Sequence, residues 1–343
     1  MMLVFHLHAL TTTMSALLDM VRQSFPPKTK FTADDVPDLS GKVIIVTGGN
    51  SGVGKETARV LLNHNAKVYM ASRSDSKAQE AIAELKKLTG KEAIFLKLDL
   101  GDLKAVGAAA AEFRSKEPEL HVLFNNGGVM MPPIEAMTTD GYDLQFGTNV
   151  LGPFHFTQQL LPSLLAGAKS AHGARVVNTA SGMHLMNKLD FKIILDEKQR
   201  KKAGQQPLYA LSKFAVVTYS AELARRYGDQ GLVVTSLHPG VIKTDLHRHM
   251  TGVVGGVVNV MERTILHDVS YGALTQLYAG TAVDGAQLNG KLMFDRLHRQ
   301  YLIPWARVGK PHPQTQDPKL GAELWSWLEE QIAASVRPAA ATE

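Results

Sequence analysis

The chain has no cysteine in 343 residues. That excludes disulfides and thiolate metal sites, and it is compatible with an interior compartment without requiring one. No dense stripe of Lys and Arg accompanies the formal net charge of +5, so nucleic acid is not an expected partner. The single basic run, Lys198-Gln199-Arg200-Lys201-Lys202, reads as a solvated helix or loop face. Internal repeats and low-complexity segments are also missing. A secretory n-region is missing too: residues 1–18 carry no formal charge, no Lys or Arg precedes them, and Thr11-Thr12-Thr13 and two histidines interrupt them. This apolar stretch is at the short limit for a membrane span. It reads either as a disordered or surface-docked tail or as a membrane-surface anchor, with Met14 an alternative start. The expected location is intracellular, either cytoplasmic or peripherally membrane-associated.

What is present is an alternation. Hydrophobic residues make up 45% and charged residues 20%, enough to bury a sizeable core. Short, nearly continuous apolar runs at 43–46, 68–71, 94–98, 122–124, 175–179 and 233–237 read as strands covered on both faces. Helical patterns at 55–63, 76–88, 103–116, 152–166 and 208–227 separate them, and a seventh strand at 291–294 follows a helix at 270–279. The alternation predicts an α/β fold: one doubly wound parallel-sheet Rossmann domain of about seven strands, helices on both faces. The expected organisation is a leader at 1–36, a main domain at 37–303 and a C-terminal extension at 304–343. That extension is proline-rich and aperiodic to 318, then helical at 320–334. The stripe Leu324, Trp325 and Leu328 packs either on the domain or on a partner.

The first strand runs into Thr47-Gly48-Gly49-Asn50-Ser51-Gly52-Val53-Gly54 and then a helix. A buried strand turning through spaced glycines into a helix is a phosphate cradle. Gly48 permits the sharp turn, Gly52 clears space for a pyrophosphate, and Gly54 lets the helix approach the strand. The helix N-terminus offers free N–H groups. The second strand ends at Ser72-Arg73, with no carboxylate to hold a ribose 2′-hydroxyl. An Arg can pair bidentately with a 2′-phosphate, so NADP(H) is expected over NAD(H), with Asp75 a nearby competitor for Arg73. Tyr209 and Lys213, at i and i+4 of a helix, share a face. A nearby ammonium is expected to lower the phenol pKa and make Tyr209 a usable proton donor or acceptor.

The Thr-Gly-x-x-x-Gly-x-Gly spacing, the Tyr-x-x-x-Lys pair, Asn125-Asn126-Gly127-Gly128 after the fourth strand, Ser181 after the fifth and Pro239-Gly240 after the sixth occur in one order. With them the chain resembles the short-chain dehydrogenase/reductase superfamily over roughly residues 40–296. The long gap from Ser181 to Tyr209 is similar to that of its retinol-dehydrogenase-like, fungal-type branch. Gly127 departs from the family's Ala, and Ala180 from the first of its two serines. The resemblance implies Asn149, Ser181, Tyr209 and Lys213 as the catalytic set. It implies cofactor contacts from Gly48, Asn50, Ser51, Gly52, Val53, Gly54, Ser72, Arg73, Asp99, Leu100, Asn126, Tyr209, Lys213, Pro239, Gly240, Ile242 and Thr244. By their residues alone, Asp99 reads equally as a turn or cap residue, Asn149 as an N-cap, and Ser181 as a helix cap. The resemblance also implies a homodimer or homotetramer.

The implied activity is hydride transfer between NADP(H) and a carbonyl or alcohol. The segment at about 245–268, apolar and glycine-flexed around 250–261, resembles the family's substrate cover and favours a lipophilic substrate such as a terpenoid, retinoid, steroid or polyketide-like molecule. A packed core reads equally from the same residues. Zinc is not expected, because His184, His238, His247 and His249 lack ligand spacing. Two other classes share features: a catalytically silent NADP-binding sensor or scaffold, and an extended-branch sugar-nucleotide epimerase, whose glycine spacing differs.

Overall fold

Residues 23, 25–170, 173–243, 266–282 and 301–336 are described by a computed structural model of the chain. Residues 1–22 and 24 of the expected leader at 1–36, the expected strand at 291–294, Thr244, His247, His249 and most of the expected cover lie outside the described residues.

Each apolar run becomes a strand where expected: β1 (Val43–Thr47), β2 (Lys67–Ser72), β3 (Ile94–Lys97), β4 (Val122–Asn125), β5 (Ala174–Thr179) and β6 (Leu232–Leu237). The intervening helices are α1 (Gly52–Asn63), α2 (Asp75–Thr89), α3 (Leu103–Lys116), α4 (Gly152–Lys169), the short α5 (Phe191–Leu195) and α6 (Glu197–Ala203), α7 (Gln205–Tyr227) and α8 (Val269–Thr281). The chain closes with β7 (Tyr301–Ile303), β8 (Arg307–Val308) and α9 (Pro318–Val336). The sheet order is β3-β2-β1-β4-β5-β6-β7-β8, parallel except for the β7–β8 hairpin.

Alternation along the strands explains the two layers. Val43 and Ile45 of β1 and Tyr69 and Ala71 of β2 face one core, with α3, α4, α7 and α9. Ile44, Val46, Val68 and Met70 face the other, with α1, α2 and α8. Both faces are therefore covered, as the unbroken apolar runs require. The strand order reverses at β1, between β2 and β4, which opens a crevice at the carboxyl ends of β1 and β4.

The aperiodic stretch after 304 is a correction to the expected organisation. Among the described residues the sheet has eight strands, and its last two lie at 301–308, where three- and two-residue strands are too short to show a period. The long gap between Ser181 and Tyr209 contains two short helices, capped by Asp190 and Asp196. The stripe on α9 packs inward: Trp325 lies against Phe154 of α4, with ring centroids 4.7 Å apart. Among the described residues no helix is long and apolar enough to cross a membrane.

Candidate active site

The glycine loop is tied to the end of β4. Thr47 Oγ1 accepts from Asn126 N at 3.0 Å and Gly127 N at 2.9 Å, and it donates to Phe124 O at 3.2 Å. Asn126 Nδ2 donates to Thr47 O at 3.0 Å. Gly48 has φ +64°, which L side chains rarely adopt. A Cβ on Gly54 would lie 2.4 Å from Gly48 O and 2.5 Å from Asn126 Nδ2, so α1 can start this close to the loop only without a side chain there. Ser51, the N-cap residue of α1, makes no side-chain cap, which leaves the first-turn N–H groups aimed along the loop.

Around the next residues the second half assembles. A Cβ on Gly48 would lie 2.9 Å from Gly127 Cα, and one on Gly128 would lie 2.8 Å from Asn149 Oδ1 and 3.8 Å from Lys213 Nζ. Asn149 sits in a π-helical turn, Gly147–Leu151, that leads into α4, rather than at an N-cap. Such turns recur at functional sites because they aim a side chain out of register. Its Oδ1 accepts from Val129 N at 2.8 Å, and its Nδ2 donates to Val129 O at 3.0 Å and Ser212 Oγ at 3.1 Å. Ser212 in turn donates to Tyr209 O at 2.7 Å, which joins Asn149 to the helix carrying Tyr209 and Lys213.

Lys213 Nζ donates to Thr179 O at 2.9 Å, at the end of β5, and lies 5.7 Å from the Tyr209 ring centroid. Ser181, two residues beyond Thr179, interacts with the Tyr209 phenol through its hydroxyl, and its Oγ accepts from Met183 N at 3.2 Å. Thus Asn149, Ser181, Tyr209 and Lys213 converge on the crevice beside the glycine loop. Burial pushes Lys213 down to about 8. It pushes Tyr209 up to about 12, with the Ser181 hydroxyl pulling the other way. Among the protein's own groups burial is the largest influence on the phenol, and the Lys213 ammonium donates to Thr179 O.

At the adenosine end, the Ser72 hydroxyl is buried and has no hydrogen-bond partner among the described residues. Arg73 is exposed and makes no ion pair there, with Asp75 or any other group. Lys97, the register partner of Ser72 on β3, donates from Nζ to Arg73 O at 2.8 Å. This second cation was not anticipated; its signal is an exposed Lys closing the strand next to Ser72. Asp99 Oδ1 accepts from Gly101 N at 2.9 Å, the turn role its residues allow. Leu100 is in the core and borders Gly127. Val53 and Ile242 form a small cluster with Trp305, and Gly240, at φ +97°, faces the same tryptophan. Pro239 is half-buried beside it, and Asn50 is half-buried in the loop. Among the described residues a buried hydroxyl without a partner, two cations without a carboxylate partner and an uncapped helix start suit a dinucleotide.

A family model described as short chain dehydrogenase matches residues 42–192. A short-chain dehydrogenase/reductase of Armillaria gallica is 52% identical, over 93% of this chain and 99% of the relative. The chain belongs to the short-chain dehydrogenase/reductase family. As a short-chain dehydrogenase/reductase it is an NAD(P)-dependent oxidoreductase. Retinol dehydrogenase 12 of Mus musculus is 35% identical over 82% of this short-chain dehydrogenase/reductase and 88% of that protein. A crystal structure of an uncharacterized protein from Mycobacterium paratuberculosis is 27% identical with a TM-score of 0.67, covering 91% of this chain and 100% of the other.

Proposed function

We propose that the protein is an NADP(H)-dependent reductase that interconverts a carbonyl and an alcohol on a lipophilic small molecule. The observation that carries this reading is the convergence of the Tyr209 phenol, the Ser181 hydroxyl and the Lys213 ammonium beside the glycine loop.

Gly48, Asn50, Ser51, Gly52, Val53 and Gly54 hold the pyrophosphate on the N–H groups of the loop and α1. Ser72, Arg73 and Lys97 would take the 2′-phosphate: a buried hydroxyl without a partner among the described residues and two cations favour it. Asp99, Leu100 and Asn126 would border the adenosine, and Pro239, Gly240 and Ile242 the nicotinamide. When bound, the nicotinamide supplies the hydride. Ser181 and Tyr209 donate hydrogen bonds to the carbonyl oxygen and stabilise the charge that grows on it. A phenol held near 12 stays protonated at neutral pH, so Tyr209 is ready to give its proton to the forming alkoxide, a far stronger base. The buried Lys213 ammonium stands close enough to stabilise the phenolate left behind, and Asn149 fixes this helix through Ser212.

The lipophilic substrate is supported by what borders the site. The turn after Ser181 is Gly182-Met183-His184-Leu185-Met186, and the loop after β4 contains Val129, Met130 and Met131. Neither contributes an ionised side chain. The β4 loop is held in place by Gln145 Oε1, which accepts from Met131 N at 2.9 Å, and by Gln205 Nε2, which donates to Pro132 O at 2.8 Å. The test is a cofactor-depletion screen against lipophilic ketones and aldehydes, run in parallel with NADPH and NADH. Consumption of NADPH by members of the panel is the expected result. NADPH binding without oxidation across the panel would support a silent sensor instead.

A further inference from the structure

His184 is fully buried in the turn Gly182–Met186, three residues past Ser181, and the scheme above gives it no role. Its ring is held at both nitrogens. Nδ1 lies 2.7 Å from Ser181 O, and Nε2 accepts from His312 N at 3.2 Å. A carbonyl can only accept and an amide N–H can only donate. Together they fix one tautomer, with the proton on Nδ1 and the lone pair on Nε2. Tyr301 packs against the imidazole with ring centroids 4.7 Å apart, and its hydroxyl lies 3.4 Å from Nδ1. Burial pushes His184 down to about 4, so the ring stays neutral and keeps this pattern near neutral pH.

Ser181 needs such a support. The β5 ladder ends just before it, with Ala180 N donating to Leu237 O at 2.6 Å. Past that bond the backbone of Ser181 is held through its carbonyl, which receives His184 N at 3.1 Å as well as the imidazole. We propose that His184 is a positioning residue for Ser181: its Nδ1–H, braced by the His312 backbone and Tyr301, fixes the Ser181 carbonyl and so aims the hydroxyl at the substrate oxygen. The proposal rests on the reading of Ser181 as a donor to that oxygen. It also gives residues 301–312, outside the part of the chain that carries the recognised motifs, a share in holding the site. Misplacing such a group by about 1 Å can lower a rate roughly a hundredfold.

The test compares His184→Asn with His184→Gln. Asparagine can put an N–H where Nδ1 stands; glutamine can put one only near Nε2, and both keep a polar side chain of similar size. The expected result is a kcat for carbonyl reduction that falls roughly tenfold to a hundredfold in H184Q and recovers most of the loss in H184N. The Kd for NADPH should stay within about twofold in both variants, because the imidazole acts on Ser181 and not on the cofactor. The ¹⁵N spectrum of the wild-type histidines should show His184 with its proton on Nδ1. Equal kcat in H184N and H184Q, or a proton on Nε2, overturns the proposal. If H184Q does not fold, the tautomer decides, a proton on Nδ1 supporting the proposal and a proton on Nε2 overturning it. Ser181→Ala separates the two levels: a slow S181A beside unaffected H184Q overturns the proposal alone, whereas an unaffected S181A overturns the Ser181 reading and the proposal with it.

Discussion

Replacing Lys213 by Met should separate stability from catalysis. The ammonium is buried, and its burial alone moves its pKa from 10.5 to about 8. Between those values the unfolded chain holds the proton and the folded chain has released it. The unfolded state then binds more protons, so folding stability rises with pH across this window. For these two pKa values the rise from pH 7 to pH 9.5 is about 2 kcal/mol. The variant removes that contribution. At pH 7 it also relieves the burial of a charge and leaves Thr179 O without its donor, a loss of about 1–3 kcal/mol. The two effects oppose each other, so the variant should be close to wild type in stability at pH 7 and relatively weaker at pH 9.5. Denaturant unfolding of both proteins at the two pH values measures this, and the same preparations should show turnover lost in the variant. Parallel stability curves for the two proteins would refute the claim that Lys213 is a buried, charge-destabilised group.

Three further outcomes are expected. Arg73→Glu should weaken NADPH binding on the order of a hundredfold while NADH binding changes little, read by fluorescence titration of both cofactors; equal losses for the two would remove the 2′-phosphate from this corner. Gly54→Ala forces a methyl against Gly48 O and should destabilise the fold by about 1–3 kcal/mol and impair cofactor binding, checked by thermal unfolding with and without NADPH. Trp325→Ala opens a cavity between α4, α7 and α9 and should lower unfolding free energy by about 3–5 kcal/mol; a change under about 1 kcal/mol would mean α9 is not docked as described.

The strands of the main sheet were legible because a parallel sheet covered on both faces demands unbroken apolar runs, and β1, β2 and β5 have them. Tyr209 and Lys213 were legible because helical spacing alone puts them on one face. The β7–β8 hairpin was not, since Tyr301 and Leu302 join the sheet through pairing with Ser236 and Leu237, far away in sequence. The π-turn at Asn149 was hidden for a related reason: a one-residue change in hydrogen-bond register leaves no mark on composition. Helices α5 and α6 did carry a local signal, the capping aspartates Asp190 and Asp196, but at five and seven residues they are too short for periodicity to register. The upward push on the phenol could not be foreseen from spacing, because it comes from burial that only the assembled fold supplies.

The most direct measurement is single-turnover hydride transfer from NADPH to a carbonyl compound selected by the screen, followed in wild type and Tyr209→Phe, with NADPH affinity measured in both. The expected result is a transfer rate lowered at least about a hundredfold in the variant while the Kd for NADPH stays within about twofold. A variant that transfers hydride at the wild-type rate would contradict the assignment of Tyr209 as the proton donor.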